Sequence, residues 1–375
     1  MLGKRVRIFP TKEQEQKLWQ SVGTARYIYN WTLARQEENY LNGGKFISDG
    51  DLRKQLTQLK KDELAWLNEV SNNVAKQAVK DACDAYQKFF KGLADKPRFK
   101  SRKKSKASFY NDNMKLKVKE SSVLIEKVGW ISIKKNSIPM GCKYANPRIS
   151  FDGKYWLCSV GIEKAQPTVE LTDERIGIDV GIKDLAICSN GMVFKNINKT
   201  REVKQIEKRL RRLQRRVSCK YLKNKEGSRF VKTSNIVKIE NRIRLVHRKL
   251  ASIRSNHLHQ ATSMIVKTKP SRVVMETLNI KGMMKNRHLS KAIAKQGLYE
   301  FKRQMKYKCA FNGIEFVEAD KWYPSSKTCS ECGHIKPKLS LSDRTYLCED
   351  CGIVIDRDLN ASINLSRYES AGFIT

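Results

Sequence analysis

The chain opens on Met1–Phe9, whose short apolar positions read as a strand, and Pro10-Thr11 then leads into a helical pattern from Lys12 to Tyr40 with Leu18, Val22, Ala25, Tyr29 and Leu33 at helical spacing and Thr11 placed to cap it. A second helical stretch, from about Asp51 to Lys91, carries Val70, Val74, Ala78, Ala82 and Phe89 at similar spacing. From Ala107 to Glu163 the period changes to short alternating strands, including Trp130–Lys135 and a tight turn at Asp152-Gly153. These strands predict a small β-barrel or meander that takes in the first strand and leaves the helical lobe as an insertion.

The pattern from Arg175 onward is the most legible. Ile176–Val180, Leu185–Ser189 and Met192–Lys195 predict three antiparallel strands, the last two joined by Asn190-Gly191. Arg201 to about Lys267 predicts two long basic helices, striped by Ile206, Leu210, Leu213 and Val217 and by Ile236, Ile239, Ile243, Val246, Leu250 and Ile253. Lys220–Arg229 supplies the turn between them. A strand over Ser271–Glu276, a helix over Leu289–Asn312, a strand over Glu315–Asp320 and a helix over Leu359–Tyr368 complete the order expected of an RNase H-like domain. The fold class is therefore α+β and multidomain.

Composition narrows the partners. The formal net charge of +37 over 375 residues predicts self-repulsion that a polyanion relieves, and nucleic acid is the obvious one. No apolar run approaches the ~18 residues of a membrane span, and the first residues lack the apolar core of a signal peptide, so a cytoplasmic protein with no membrane partner is expected. Lys96–Lys106 mixes Lys and Arg with Ser and one Phe and cannot form a core; it is either a solvated linker or a phosphate-binding arm, and the chain's excess charge favours the arm. Of ten cysteines, Cys83, Cys142, Cys158, Cys188, Cys219 and Cys309 have no patterned spacing and are expected as buried free thiols.

The other four, Cys329-x2-Cys332 and Cys348-x2-Cys351 with fifteen residues between the pairs, match tetrahedral thiolate coordination of a structural Zn²⁺ that leaves no open position. His334 beside them is expected to be a bystander. Three acids carry the candidate chemistry: Asp179 inside an apolar strand, Glu276 at the end of another, and Asp358 before the last helix. A carboxylate at such a position is costly unless paired or bound to metal. Gathered at one sheet edge, the three would hold two Mg²⁺ ions roughly 4 Å apart for phosphodiester hydrolysis. Singly, Asp179 could be a turn residue, Glu276 a solvent charge and Asp358 a helix N-cap, and Asp356, Asp320 and Asp184 lie nearby, with Asp356 the strongest rival to Asp358.

Ile176–Gly181, Val273–Glu276, Ser325–Gly333 and Cys351–Ala361, with Ile8–Thr11 and Tyr27–Trp31 near the start, resemble the TnpB family, transposon-encoded relatives of type V CRISPR effectors. The resemblance implies a RuvC-like nuclease guided by a structured RNA and cutting double-stranded DNA beside a short motif read by the protein. It matches the family's catalytic acids to Asp179, Glu276 and Asp358, the last standing two residues before Asn360-Ala361. The implied layout is a β-barrel of residues 1–10 and 107–170, a helical recognition lobe over 11–106, and a nuclease domain of 171–324 and 354–375. Within the nuclease domain 199–268 is a basic hairpin insertion, and 325–353 is the zinc-binding segment. Asn73, Lys76, Gln77 and Lys80 on one helix are candidates for base reading, and Arg98, Lys100, Arg102, Lys103 and Lys104 for backbone contact. Tyr27, Tyr29, Trp31, Phe99, Phe109 and Tyr110 are aromatic candidates for stacking, the first three better explained by packing. A regulator that binds without cutting and a strand-joining transposase are the rival functions.

Overall fold

A computed structural model describes residues 2–102, 105–340 and 342–369, in two compact units, Met1–Ala165 and Gln166–Thr375. Lys103 and Lys104 of the basic arm lie outside the described residues.

The first unit begins with strand β1 (Leu2–Phe9), followed by helices α1 (Lys12–Leu41), α2 (Asp49–Leu59) and α3 (Asn72–Phe90). Strands β2 (Ser108–Tyr110), β3 (Lys117–Lys119), β4 (Ser122–Ile125), β5 (Gly129–Ile133), β6 (Tyr144–Phe151) and β7 (Trp156–Ile162) complete it. The seven strands form one sheet in the order β2-β6-β7-β1-β5-β4-β3, with β1 antiparallel to both neighbours and the helices inserted between β1 and β2. Alternation along the strands sends Val6, Ile8, Ile131, Ile133, Ile149 and Val160 into a core closed by Leu18 and Val22 of α1 and Val74 of α3. Thr11 caps α1 in a reciprocal box, its hydroxyl accepting from the Gln14 amide while the Gln14 side chain accepts from the Thr11 amide. The stretch from Asp51 to Lys91 is not one helix: a 3₁₀ turn (Ala65–Glu69) separates α2 from α3, and Ser71 caps α3 afresh.

The second unit carries β8 (Thr172–Val180), β9 (Asp184–Cys188) and β10 (Val193–Lys195), then α4 (Arg201–Lys223), the two-residue strands β11 (Lys225–Glu226) and β12 (Arg229–Phe230), and α5 (Ser234–Lys267). It continues through β13 (Pro270–Glu276), α6 (Ile280–Met283), α7 (Ser290–Gln296), α8 (Leu298–Phe311), β14 (Glu315–Ala319), β15 (Thr345–Leu347), β16 (Val354–Asp356) and α9 (Arg357–Ser366). Its main sheet has the order β10-β9-β8-β13-β14, antiparallel across the first three strands and parallel from β8 to β13 to β14. One face, with Ile176, Ile178, Val273 and Met275, packs on Leu258, Ile265, Phe301 and Met305 of α5 and α8. The other face carries Gly177, Asp179, Val274 and Glu276 and receives α9, whose Leu365 packs on Val274.

Two local readings need correction. The pattern over Leu289–Asn312 is two helices, because Gly297 adopts a left-handed φ of 73° that ends α7 and starts α8. Cys219 sits exposed on α4, whereas Cys83, Cys158, Cys188 and Cys309 are buried as expected and Cys142 is half-buried. Among the described residues no helix is long and apolar enough to cross a membrane.

Candidate active site

Strand register brings the first two acids together. β13 pairs with β8 in parallel, Val274 opposite Gly177 and Met275 opposite Ile178, so the next residues, Glu276 and Asp179, leave the C-terminal ends of neighbouring strands about 4.8 Å apart and on one face. The third acid arrives on α9, and a missing side chain lets it approach. A Cβ on Gly177 would stand 1.9 Å from the Ser362 carbonyl oxygen and 2.3 Å from the Ser366 nitrogen, so α9 lies backbone-to-backbone on β8 with its first turn, and Asp358, over the Asp179 end of the strand.

The three acids perturb one another. Burial, then the Glu276 carboxylate, then that of Asp358 push Asp179 well above the usual carboxylate range, with Arg357 opposing them. Burial and Asp358 push Glu276 up to about 7. Among the described residues neither the Asp179 nor the Glu276 carboxylate has a hydrogen-bond or ion-pair partner. The three do not close around one point: only the four cysteines gather ligand atoms within 4.8 Å of one another among the described residues. Half-buried hard-oxygen donors that repel one another in this way fit a hard divalent cation.

The neighbouring acids have other work. Asp356 is the N-cap of α9, its Oδ1 accepting from the amides of Asp358 at 3.0 Å and Leu359 at 3.1 Å. That spares the Asp358 carboxylate from capping; among the described residues its ion pair is with Arg344, at 3.9 Å. Asp320 accepts from the Trp322 amide at 2.7 Å, and Asp184 pairs with Lys195 at 3.5 Å.

The four cysteines converge between β14 and α9. Sγ of Cys329 lies 3.6 Å from that of Cys351, and Sγ of Cys332 lies 3.6 Å from that of Cys348. Disulfide sulfurs would be about 2.05 Å apart. Four sulfurs about 2.3 Å from a central ion would be about 3.8 Å apart, so the cluster has close to the size of a tetrahedral thiolate site. Gly333 (φ 79°) and Gly352 (φ 73°) allow the chain to turn behind each pair. Backbone amides, first that of Cys351 and also that of Asp350, hold the Cys348 thiol down to about 6. His334 contributes main chain, its carbonyl accepting from the Cys329 amide at 2.8 Å.

Helix α9 joins the two sites. Asn360, fully buried, accepts from the Ser330 amide at 2.9 Å and donates to the Thr328 carbonyl at 2.7 Å, and Asn364 donates to the carbonyls of Ser325 and Thr328 at 2.8 and 2.7 Å. Sequence reading missed these anchors; two asparagines four residues apart, on one face of a helix that starts at an acid, were the available signal.

In the first unit a cleft of about 380 Å³ is lined by Gln16, Trp19, Arg26, Gln77, Lys100 and Arg148 among others. Asp81 holds Arg148 through two bonds of 2.8 and 2.9 Å, and Gln77 donates to Asp81 at 2.9 Å. Asn73 donates to Glu126 at 3.0 Å, whereas Lys76 and Lys80 are exposed on α3. Arg98 and Arg102 are exposed, while Lys100 is half-buried with Nζ 3.4 Å over the Tyr29 ring, and burial pushes its pKa down. Phe109 is in the core, Tyr27 packs edge-on against Trp66, and Phe99 is exposed.

Comparison with known proteins identifies the family. Family profiles match a helix-turn-helix domain over residues 1–45, a probable transposase over 158–287 and a Cas12f1-like TNB domain over 299–365. A Streptomyces pristinaespiralis protein named "Putative RNA-guided DNA endonuclease" is 32% identical, covering 96% of this chain and 87% of its own length. An Escherichia coli K12 protein of the same designation, InsQ, is 30% identical over 95% of this chain and 89% of its own. The Cas12f1 chain of a complex with sgRNA and target DNA shares the fold at a TM-score of 0.61 and 15% identity, covering 94% of this chain and 82% of that one. A protein aligned end to end with such relatives at this identity is a member of the TnpB family.

Proposed function

We propose that the chain is an RNA-guided endonuclease that cuts double-stranded DNA next to a short motif read by the protein, using a RuvC-like, RNase H-like nuclease domain. The observation that carries this reading is the parallel register of β8 and β13, which sets Asp179 beside Glu276 where α9 delivers Asp358. Two Mg²⁺ ions, when bound, would supply an activated water and stabilise the leaving oxygen of the phosphodiester. The residues themselves do three things. Asp179, on the central strand, would be the ligand shared between the ions; Glu276 and Asp358 would each hold one of them; and the mutual repulsion of the three carboxylates, which cations would relieve, favours the loaded state. The four thiolates of Cys329, Cys332, Cys348 and Cys351 would hold a structural Zn²⁺, ordering the segment anchored to α9.

The partners are a structured guide RNA and its DNA target. The charge of +37, the exposed Lys76, Lys80, Arg98 and Arg102, and the basic faces of α4 and α5 provide phosphate contacts, while base pairing with the guide supplies sequence specificity. The test is cleavage of a target plasmid by protein purified with its RNA, in Mg²⁺ against EDTA. Asp179→Ala should bind RNA and DNA normally and leave the plasmid intact. Cleavage by Asp179→Ala, or strand-transfer products from the wild type, would reject the assignment.

A further inference from the structure

The loop that follows Asp179 is held from outside the sheet. Gln296, the last residue of α7 and buried, donates its amide to the Gly181 carbonyl at 3.1 Å. Asn196, also buried, donates to the next carbonyl, that of Ile182, at 2.7 Å. Two side-chain amides thus grip consecutive peptide groups starting two residues beyond Asp179. Neither works alone. Asn198 donates to the Gln296 side-chain oxygen at 3.4 Å, to the Asn196 side-chain oxygen at 3.0 Å and to the Lys295 carbonyl at 3.2 Å. It accepts from Arg254 Nε of α5 at 2.8 Å, and the same guanidinium donates to Glu207 of α4 at 2.8 Å. Glu207 receives Lys295 Nζ at 2.7 Å as well, which closes a ring of contacts from both helices of the basic hairpin to α7 and the Asp179 loop.

We propose that Gln296 and Asn196, braced by Asn198, Arg254, Glu207 and Lys295, are positioning residues that hold Asp179 in metal-binding geometry and make the base of the α4–α5 hairpin part of the metal site's support. The inference rests on the metal-site reading above. A ligand on a strand end can swing with the loop that follows it, and the grip on Gly181 and Ile182 removes that freedom. Outer supports of this kind typically change metal affinity or activity by about 10–100-fold when lost.

The test compares wild type with Gln296→Met, which keeps length and apolar volume but cannot donate, in the full-length protein bound to its RNA. Mn²⁺ binding is followed by paramagnetic resonance, and single-turnover cleavage is measured across a Mg²⁺ titration. Gln296→Met should need about tenfold more Mn²⁺ for half-saturation and should recover cleavage as Mg²⁺ is raised. Asp179→Ala should not recover at any concentration, because there the ligand itself is gone. Unchanged Mn²⁺ binding in Gln296→Met, or lost cleavage that added Mg²⁺ does not restore, would overturn the proposal while leaving the nuclease reading standing. If Gln296→Met melts well below wild type, Asn196→Asp, which keeps shape and loses the donor, carries the same expectation and the same refutation. A wild-type protein that binds Mn²⁺ but does not cut overturns the nuclease reading instead, and the Mn²⁺ comparison still decides the role of Gln296.

Discussion

Replacing Gly177 with alanine adds one carbon where the structure has no room for it. The new Cβ would meet two backbone atoms of α9, the Ser362 oxygen at 1.9 Å and the Ser366 nitrogen at 2.3 Å, and backbone cannot rotate aside as a side chain can. Reaching ordinary contact near 3.4 Å requires the helix to retreat by about 1.5 Å. Asp358 sits one turn before Ser362 on that helix, so its carboxylate moves away from Asp179 and Glu276. Overpacking of this kind costs about 1–3 kcal/mol of stability. A misplacement of about 1 Å in a catalytic group costs on the order of 100-fold in rate. The assay is single-turnover plasmid cleavage by the RNA-bound protein with a melting curve on the same sample. Gly3→Ala serves as control, because nothing lies within 4 Å of a Cβ there. Gly177→Ala should retain RNA binding, melt lower and cut about two orders of magnitude more slowly. Wild-type cleavage with an unshifted melting curve would refute the close seating of α9 as the means of delivering Asp358.

Three further outcomes follow from the site. Glu276, raised to about 7 from its ordinary 4.5, is protonated more readily in the metal-free folded state than in the unfolded chain, so its contribution is present at low pH and lost as pH rises from about 4.5 through 7. Relative to Glu276→Gln, the metal-free wild type should therefore lose up to about 3 kcal/mol between pH 5 and 8, recovered by Mg²⁺ at pH 8; parallel pH profiles of the two proteins would contradict this. Asp356→Ala should cost about 1 kcal/mol of stability by uncapping α9 yet still cut, whereas Asp358→Ala should fold normally and not cut; the reverse pattern in a melting and cleavage comparison would exchange their roles. Stripping metal from the cysteine cluster should abolish cleavage with all three acids intact, because Asn360 and Asn364 lose carbonyl partners, each buried amide left unpaired costing about 1–3 kcal/mol; full activity of chelated protein with four titratable thiols would show the cluster to be dispensable.

Much of this was legible in the chain because it depends on periodicity and local chemistry. Alternating apolar residues placed β8, β9 and β13, cysteine spacing placed the thiolate cluster, and acids inside apolar runs marked Asp179 and Glu276. What escaped depends on who faces whom. Asp356 and Asp358 are indistinguishable by type, and only the backbone of α9 reveals that the first caps the helix and the second does not. Gly177 looks like a weak point in a strand until α9 is laid against it. Lys100 has the composition of a phosphate contact but spends its ammonium on the Tyr29 ring. The single helix expected over Leu289–Asn312 failed at one dihedral angle, which composition around Gly297 does not announce.

That dihedral lets one stretch of chain serve two masters. An unbroken rod would have to choose between lying along the apolar floor of the sheet and reaching toward the rim where the acids stand. With the joint at Gly297, Leu298, Phe301 and Met305 stay with the floor while Gln296, one residue earlier, turns to the rim. A Cβ at the joint would meet the Leu258 side chain at 3.2 Å as well as an unfavourable backbone angle, so the division of labour between the two short helices rests on the smallest residue in the chain.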